Sequence, residues 1–383
     1  MVMMNFVTRF KDNIFLEIVG DSGITNDFFV EFIDLNSNKL DYSDTIKVNY
    51  WASVPYNPEK NFLIRVSTEN QIVFERRQDF KYNSVFIKIT SSSLGDTIAW
   101  MPYIDIYSKI NNIKVKVSTY HNYLFEKVYP DLEFLEKGIS PDYVNDVDKK
   151  FKIDYYPLNF SDDDKKRYDN KKYIDYRNVS LQTIASTILE LPDEELLPKV
   201  DVPDNGPKIR GKYVVVAIQS TAQLKYWNNP FGWERLFDFL SRNGYKIVLI
   251  DKHKSYGVLN NFNQAPKNKN VINKTGNLPL SERIIDIKYA DMMITISSGL
   301  AWVALAVGTP VVMISGFTKP WTEFQSNNIR IHNPDVCNGC WNDSSIKFDF
   351  YNNWLFCPKN QDFICSKAIQ PKDVIDAVKK LMK

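Results

Sequence analysis

The stretch MMITISSGLAWVALAVGTPVVMISGFT, residues 292–318, decides the fold because it is the longest run without a charged side chain. It is long enough to span a bilayer, but Ser297-Ser298-Gly299 and Gly308-Thr309-Pro310 divide it into three apolar pieces. Turn-forming residues at those two places are typical of a strand, a helix and a second strand in succession. The run therefore predicts a buried βαβ unit rather than a membrane helix.

Two α/β blocks surround this unit in the sequence. The second block begins with the apolar strand 213–218, and the first begins at Ser84 with a strand, a turn, a helix and another strand. A linker between the blocks is marked by Pro198, Pro203 and Pro207. Two α/β halves joined in this way predict a cleft between them.

Residues 13–80 have a different sequence pattern, with short segments rich in β-branched and aromatic residues and no helical period. They predict a small all-β module. A chain of 383 residues exceeds one ordinary hydrophobic core, and the predicted domains are 1–82 (β module), 83–206 and 207–334 (the two Rossmann-like halves) and 335–383 (cysteine finger and last helix).

Composition narrows the possible functions. With 48 basic and 46 acidic side chains the net charge is +2, so there is no general electrostatic reason to bind nucleic acid or an anionic membrane. Arg9, Lys11 and Asp12 interrupt any signal peptide in the first twenty residues, and we expect a cytoplasmic protein. The polar stretch 142–177, with the run Asp162-Asp163-Asp164, predicts an irregular connector whose charges are solvated.

The turn Ser93-Leu94-Gly95-Asp96 follows a predicted strand and opens a predicted helix. Gly95 permits a close backbone approach, and a carboxylate at a helix N-terminus is held in its ionised form. Asp96 is therefore a candidate general base, with a simple helix cap as the alternative.

Two further segments are candidates for binding a phosphate. Gln219, Ser220, Thr221 and Lys225 follow the strand 213–218, where hydroxyls and a lysine can hold a phosphate unless Lys225 is an ordinary surface residue. In the second segment, Ser297-Ser298-Gly299-Leu300, the first turn of a helix could offer backbone N–H groups to a diphosphate, although a tight turn without a ligand is equally consistent. Asp251 is a candidate for a ribose, and Trp227 and Trp302 either shape a sugar pocket or belong to the core.

All four cysteines, Cys337, Cys340, Cys357 and Cys365, lie in one short segment. Four thiolates make a closed tetrahedral site for structural zinc or iron, and a disulfide pair is the alternative. His332 precedes them closely but is not needed as a ligand. This spacing does not distinguish zinc from iron.

Taken together, these motifs resemble glycosyltransferase family 9, the heptosyltransferases. The resemblance includes the Leu-Gly-Asp turn, the Lys-x-Trp segment from Lys225, and the Ser-Gly turn before Ala-Val-Gly-Thr-Pro-Val-Val. The β-rich start and the four-cysteine end narrow it to the bacterial autotransporter heptosyltransferases. This chain departs from the wider family in this turn. The family usually has Asp-Ser-Gly-Pro followed two residues later by His, whereas this chain has Ser297-Ser298-Gly299-Leu300 followed by Trp302.

The resemblance implies a GT-B-like pair of Rossmann-type domains that moves heptose from ADP-heptose, with inversion, to serine hydroxyls of an autotransporter adhesin. It implies that Asp96 is the base, that Lys225 holds the diphosphate and that residues 297–299 form the donor-binding turn. It further implies bound iron, a large ring-like homo-oligomer and no catalytic metal. A transferase using another nucleotide sugar and a non-catalytic carbohydrate-binding or assembly protein are the alternatives.

Overall fold

A computed structural model describes residues 4–11, 13–57, 60–69, 71–78, 84–202, 205–220, 222–253, 255–256, 263–264, 266–348 and 356–382. The chain divides into two compact units, Met1–Lys81 and Tyr82–Lys383. Among the described residues, no helix combines the length and the apolar character that crossing a membrane requires.

The first unit is built from antiparallel strands, which confirms the predicted β module. One sheet has the order β1-β2-β5 and the other β4-β3-β6-β7. Alternate residues point inward, so that Ile14, Leu16 and Ile18 are fully buried on one strand. The strands are β1 (Met4–Lys11), β2 (Asn13–Gly20), β3 (Phe28–Asp34), β4 (Lys39–Ile46), β5 (Trp51–Pro55), β6 (Phe62–Thr68) and β7 (Gln71–Arg77).

The first half of the second unit is a parallel sheet of order β10-β9-β8-β11. Its helices pack on the sheet, and Trp100, Ile104 and Ile184 belong to the shared core. The elements are β8 (Ser84–Ile89), α1 (Leu94–Asn111), β9 (Lys114–Ser118), β10 (Glu133–Phe134), β11 (Lys149–Ile153), α2 (Asp162–Arg167) and α3 (Leu181–Ile188).

The prediction of an irregular connector is wrong for part of the polar stretch 142–177, which contains a strand and a helix. Strand β11 pairs in parallel with β8, although three of its five residues are lysines. Lys152 is buried, and its ammonium lies 3.1 Å from the Asp164 carboxylate. Asp164 itself belongs to α2, which Ser161 opens with a capping box, so this part of the charge run has structural roles.

The second half is a six-stranded parallel sheet of order β16-β13-β12-β17-β18-β19. The uncharged run forms β17, α6 and β18, and both strands are entirely buried, which confirms the predicted βαβ unit. The elements are β12 (Tyr213–Ala217), α4 (Gly232–Arg242), β13 (Lys246–Leu249), β14 (Ser255–Tyr256), β15 (Asn263–Gln264), β16 (Val271–Asn273), α5 (Leu280–Lys288), β17 (Met292–Ile296), α6 (Gly299–Val307), β18 (Val311–Ile314), β19 (Asn328–Ile331), α7 (Ile364–Lys367) and α8 (Pro371–Leu381).

Candidate functional site

The two halves of the second unit meet where α1 and α6 begin. At this point the turn after β8 faces the turn after β17, and two glycines touch. A Cβ atom added to Gly299 would lie 2.9 Å from the backbone nitrogen of Gly95, and one added to Gly95 would lie 3.2 Å from Cα of Gly299. A side chain at Gly299 would therefore push the two helix N-termini apart, and one at Gly95 would be tightly packed against α6.

Replacing Gly299 with Ala should lower the free energy of unfolding of the second unit by about 1–3 kcal/mol, the usual cost of forcing an extra methyl group into close-packed backbone. Thermal unfolding measures the effect. Gly23→Ala is the control, because a Cβ there would meet only Asp21 Oδ1, at 3.5 Å. An unchanged unfolding midpoint for Gly299→Ala would show that the two turns can separate freely.

Asp96 lies in the first turn of α1 with only 7% of its surface exposed. Its Oδ2 atom accepts a hydrogen bond from the Ser91 hydroxyl at 2.6 Å, and its Oδ1 atom accepts one from the Tyr155 hydroxyl at 2.7 Å. Burial raises the pKa of the carboxyl above its ordinary value, while these two hydrogen bonds and the charge of Lys225 act in the opposite direction. The result is a buried carboxylate prepared to take up a proton.

Lys225 ends a short 3-10 helix, Gln223–Lys225, that follows β12. Burial lowers the pKa of its ammonium, and the charges of Asp96 and Glu323 partly restore it. Its Nζ lies 5.9 Å from the ring centroid of Phe317. The partly buried ammonium can form a charge-assisted contact with an anionic ligand such as a diphosphate, and it offsets the negative charge of Asp96 and Glu323.

Glu323 is a cleft residue that the sequence did not reveal. The carboxylate is buried, accepts hydrogen bonds from the hydroxyls of Ser297 and Thr318, and pairs with Arg330. Ser297 is thereby fixed at the end of β17. The acid comes from a segment without a recognisable motif, so no signal in the sequence pointed to it.

These groups line one cavity with a volume of about 260 Å³. The predicted residues among its walls are Gly95, Asp96, Lys225, Ser297, Ser298, Gly299 and Trp302. The walls that were not predicted include Tyr155, Tyr176, Phe317, Glu323 and Trp341. Residues predicted from three distant segments therefore meet at one place, with aromatic rings around them.

The remaining predicted donor-binding residues lie elsewhere. Gln219, Ser220 and Leu300 are not among the cavity walls, and Thr221 lies outside the described residues. Gln219 donates its side-chain N–H to the His253 carbonyl at 2.7 Å, and the Ser220 carbonyl accepts from Tyr226 at 3.0 Å.

Trp227 and Asp251 are both buried away from the cavity. The Trp227 ring packs in the core 5.0 Å from Trp233, and its N–H donates to the Ile369 carbonyl at 3.0 Å. The Asp251 carboxylate accepts from the backbone N–H groups of Ile218 and Gln219, and burial raises its pKa to about 6. Of the two alternatives for Trp227, core and sugar pocket, the structure favours the core, and the Asp251 oxygens are engaged by backbone rather than open to a ribose.

The four cysteines are free thiols that lie near one another. Burial, followed by the proximity of the other three cysteines, raises the pKa of Cys340 to about 12. Within the described residues, no group of three or more His, Cys, Asp or Glu side chains is arranged to hold a metal ion, so the predicted finger is not confirmed. The four thiols are close enough for the other three to act on Cys340. Four thiolates are the ligands that a structural zinc or iron site requires.

The cavity between two parallel α/β sheets, with the buried Asp96 and the partly buried Lys225 on its walls, suits a glycosyltransferase, and the comparisons show that class. The sequence profile of glycosyltransferase family 9 (heptosyltransferase) matches residues 161–339. The autotransporter heptosyltransferase Aah of Escherichia coli is 30% identical over 363 residues, which cover 93% of this chain and 89% of Aah. The chain belongs to the autotransporter heptosyltransferases, as the sequence predicted.

Two other relatives extend the comparison. The crystal structure of TibC from enterotoxigenic E. coli, an iron-containing dodecameric glycosyltransferase, matches with a TM-score of 0.71 and 26% identity over 98% of this chain and 95% of TibC. TibC has also been solved in complex with ADP-D-beta-D-heptose. BimC of Burkholderia thailandensis, an inactive autotransporter heptosyltransferase, is 28% identical over 82% of this chain and 72% of BimC.

Proposed function

We propose that this protein transfers heptose from ADP-heptose, with inversion, to serine hydroxyls of an autotransporter adhesin. The observation that carries the proposal is the placement of Asp96 and Lys225, one from each half, on the walls of one cavity. Two relatives named above, Aah and TibC, support the choice of sugar and acceptor.

The proposed reaction assigns one role to each wall of the cavity. Asp96 accepts the proton of the acceptor hydroxyl while its oxygen bonds to the anomeric carbon, and the bond from that carbon to the diphosphate breaks. Lys225 and the turn Ser297–Gly299 hold the diphosphate and stabilise the charge on the departing ADP. The two Rossmann-like domains, with the proposed boundary at residues 206/207, would thus supply the base and the donor site respectively.

Donor hydrolysis tests the choice of sugar. We expect the protein to release ADP from ADP-heptose faster than it releases nucleotide from ADP-glucose or UDP-glucose. Faster turnover of either hexose donor would identify a sister transferase instead. The second candidate function is a non-catalytic carbohydrate-binding or assembly protein, because one relative, BimC, is inactive. Absence of turnover with all three donors would support this second candidate.

We further propose that Cys337, Cys340, Cys357 and Cys365 bind one structural iron ion, as the description of TibC as iron-containing suggests. Elemental analysis should find about one iron per chain. Cys340→Ser should lose it, whereas His332→Ala should keep it, because four thiolates complete the coordination without a histidine. Equal iron content in the two variants would contradict this ligand set.

TibC is dodecameric, and we propose that this chain also forms a large homo-oligomer. Light scattering of the purified protein measures its mass directly. A monomeric protein that still transfers heptose would contradict the proposed homo-oligomer and show that transfer does not require assembly.

A further inference from the structure

The cysteine segment, residues 337–348 and 356–365, reaches into the reaction cavity. Its Trp341 directly follows the buried Cys340 and is one of the cavity walls. The backbone N–H of Trp341 donates to the Phe317 carbonyl at 3.1 Å. A segment predicted to be purely structural therefore contributes a side chain to the site of the chemistry.

Trp341 is fixed by groups from both halves of the unit. The next residue, Asn342, accepts a hydrogen bond from the Lys319 N–H at 2.8 Å and donates one to the Arg177 carbonyl at 3.1 Å. The Trp341 ring lies 4.7 Å from the Tyr176 ring. The indole is thus held in place on several sides.

The held indole packs against the tyrosine that contacts the proposed base. The Trp341 and Tyr155 rings are 5.6 Å apart and nearly perpendicular, at 87°, which is a favourable edge-to-face arrangement. The Tyr155 hydroxyl then donates to Asp96 Oδ1 at 2.7 Å. One continuous set of contacts runs from the cysteine segment to the carboxylate.

We infer that Trp341 is a positioning residue of the transfer reaction, which holds Tyr155 in the orientation that hydrogen-bonds Asp96. The inference rests on the proposed role of Asp96 as the base. It gives the cysteine segment a role in transfer, because the fold of that segment places Trp341, and Trp341 in turn contacts the tyrosine that hydrogen-bonds Asp96.

Other groups also surround Tyr155 and Asp96, and the Tyr155 ring packs on Trp100 at 5.5 Å and on Tyr176 at 5.6 Å as well as on Trp341. Burial and the Asp96 carboxylate raise the pKa of the Tyr155 hydroxyl well above its ordinary value, so it stays a donor. The first turn of α6 places the uncharged residues Gly299 and Trp302 beside Gly95. Polar and titratable groups also act on Asp96 and its partners. Ser91, Tyr155, Lys225 and Asp154 act on Asp96, Glu323 acts on Tyr155 and Lys225, and a ring nitrogen of His121 contacts the Ser92 carbonyl.

The pH dependence of kcat tests the inference. Tyr155→Phe removes a hydrogen bond that favours the ionised carboxylate, so the acidic midpoint should move up by about one pH unit. Trp341→Ala should move the midpoint in the same direction. In the double variant the shift should not exceed that of Tyr155→Phe, because Trp341 acts through Tyr155. Trp321→Ala is the matched control, since Trp321 is 42% exposed and is not a wall of this cavity.

Two results would overturn the inference. One is a Trp341→Ala enzyme with reduced kcat and an unshifted midpoint, and the other is a double variant in which the two shifts add. If Trp341→Ala does not fold, Trp341→Phe replaces it in the same comparison and should give a smaller shift in the same direction, with an unshifted midpoint again counting against the inference. Failure of the proposed base is distinguishable, because Asp96→Asn would then retain transfer.

Discussion

Asp96→Asn should lower heptosyl transfer by about 10²–10⁴-fold, the usual contribution of a general base. The amide has nearly the same shape and can still bond to Ser91 and Tyr155, but it cannot accept the acceptor's proton. Binding of ADP, measured by isothermal titration, should persist because the donor phosphates are assigned to Lys225 and residues 297–299. The measurement is the rate of heptose incorporation into an adhesin fragment under single-turnover conditions.

Asp105→Asn is the matched control for this variant. Asp105 lies on the same helix, is also buried, and pairs with Lys109 at 2.8 Å instead of facing the cavity. Near-normal transfer by Asp96→Asn would remove Asp96 from the mechanism. Loss of transfer by both variants to the same extent would indicate damage to α1 rather than loss of a base.

The wild-type enzyme should also lose activity as the pH falls. Burial raises the pKa of Asp96 above 3.8, and the base works only when it is ionised. Transfer therefore decreases as the pH falls through that raised pKa and recovers above it. The remaining activity of Asp96→Asn should lack this acidic limb.

Sequence reasoning found the residues that follow parallel strands. Asp96, Lys225 and Ser297 each come shortly after a strand of a parallel sheet, and the carboxyl ends of such strands gather around one crevice. The fold of this region was predictable for the same reason, since the uncharged run and its two turns specify strand, helix and strand. Local patterns were sufficient because these chemical groups lie in turns of regular units.

The residues that were missed depend on contacts between distant segments. Tyr155 follows β11, which was not predicted as a strand because three of its five residues are lysines. A buried lysine cannot be recognised from sequence unless the groups that contact it are known. Glu323 meets Ser297 across 26 positions, and Trp341 reaches Tyr155 from the cysteine segment. Trp227 was assigned to the sugar pocket or the core from its position beside Lys225, and its hydrogen bond to Ile369 decides in favour of the core.

Lys225→Met should weaken ADP binding by about ten- to a hundred-fold. A hydrogen bond to a charged group contributes about 1.5–3 kcal/mol, and each 1.4 kcal/mol is about a factor of ten in the dissociation constant. Two neighbouring acids strengthen the expectation, because Lys225 lies in the field of both Asp96 and Glu323. Methionine leaves the negative charge of Asp96 facing an incoming diphosphate, whereas Glu323 keeps its ion pair with Arg330.

Isothermal titration with ADP measures this effect, and Lys114→Met, at the exposed start of β9, is the control for a lost positive charge. The acidic midpoint of transfer should in addition move to higher pH in this variant, because the charge of Lys225 lowers the pKa of Asp96 and its loss raises that pKa. An unchanged dissociation constant for ADP combined with slow transfer would assign Lys225 to the base alone and remove it from the donor site. Weaker ADP binding together with an upward shift of the acidic midpoint is the result expected if one partly buried cation serves both the departing diphosphate and the carboxylate that starts the reaction.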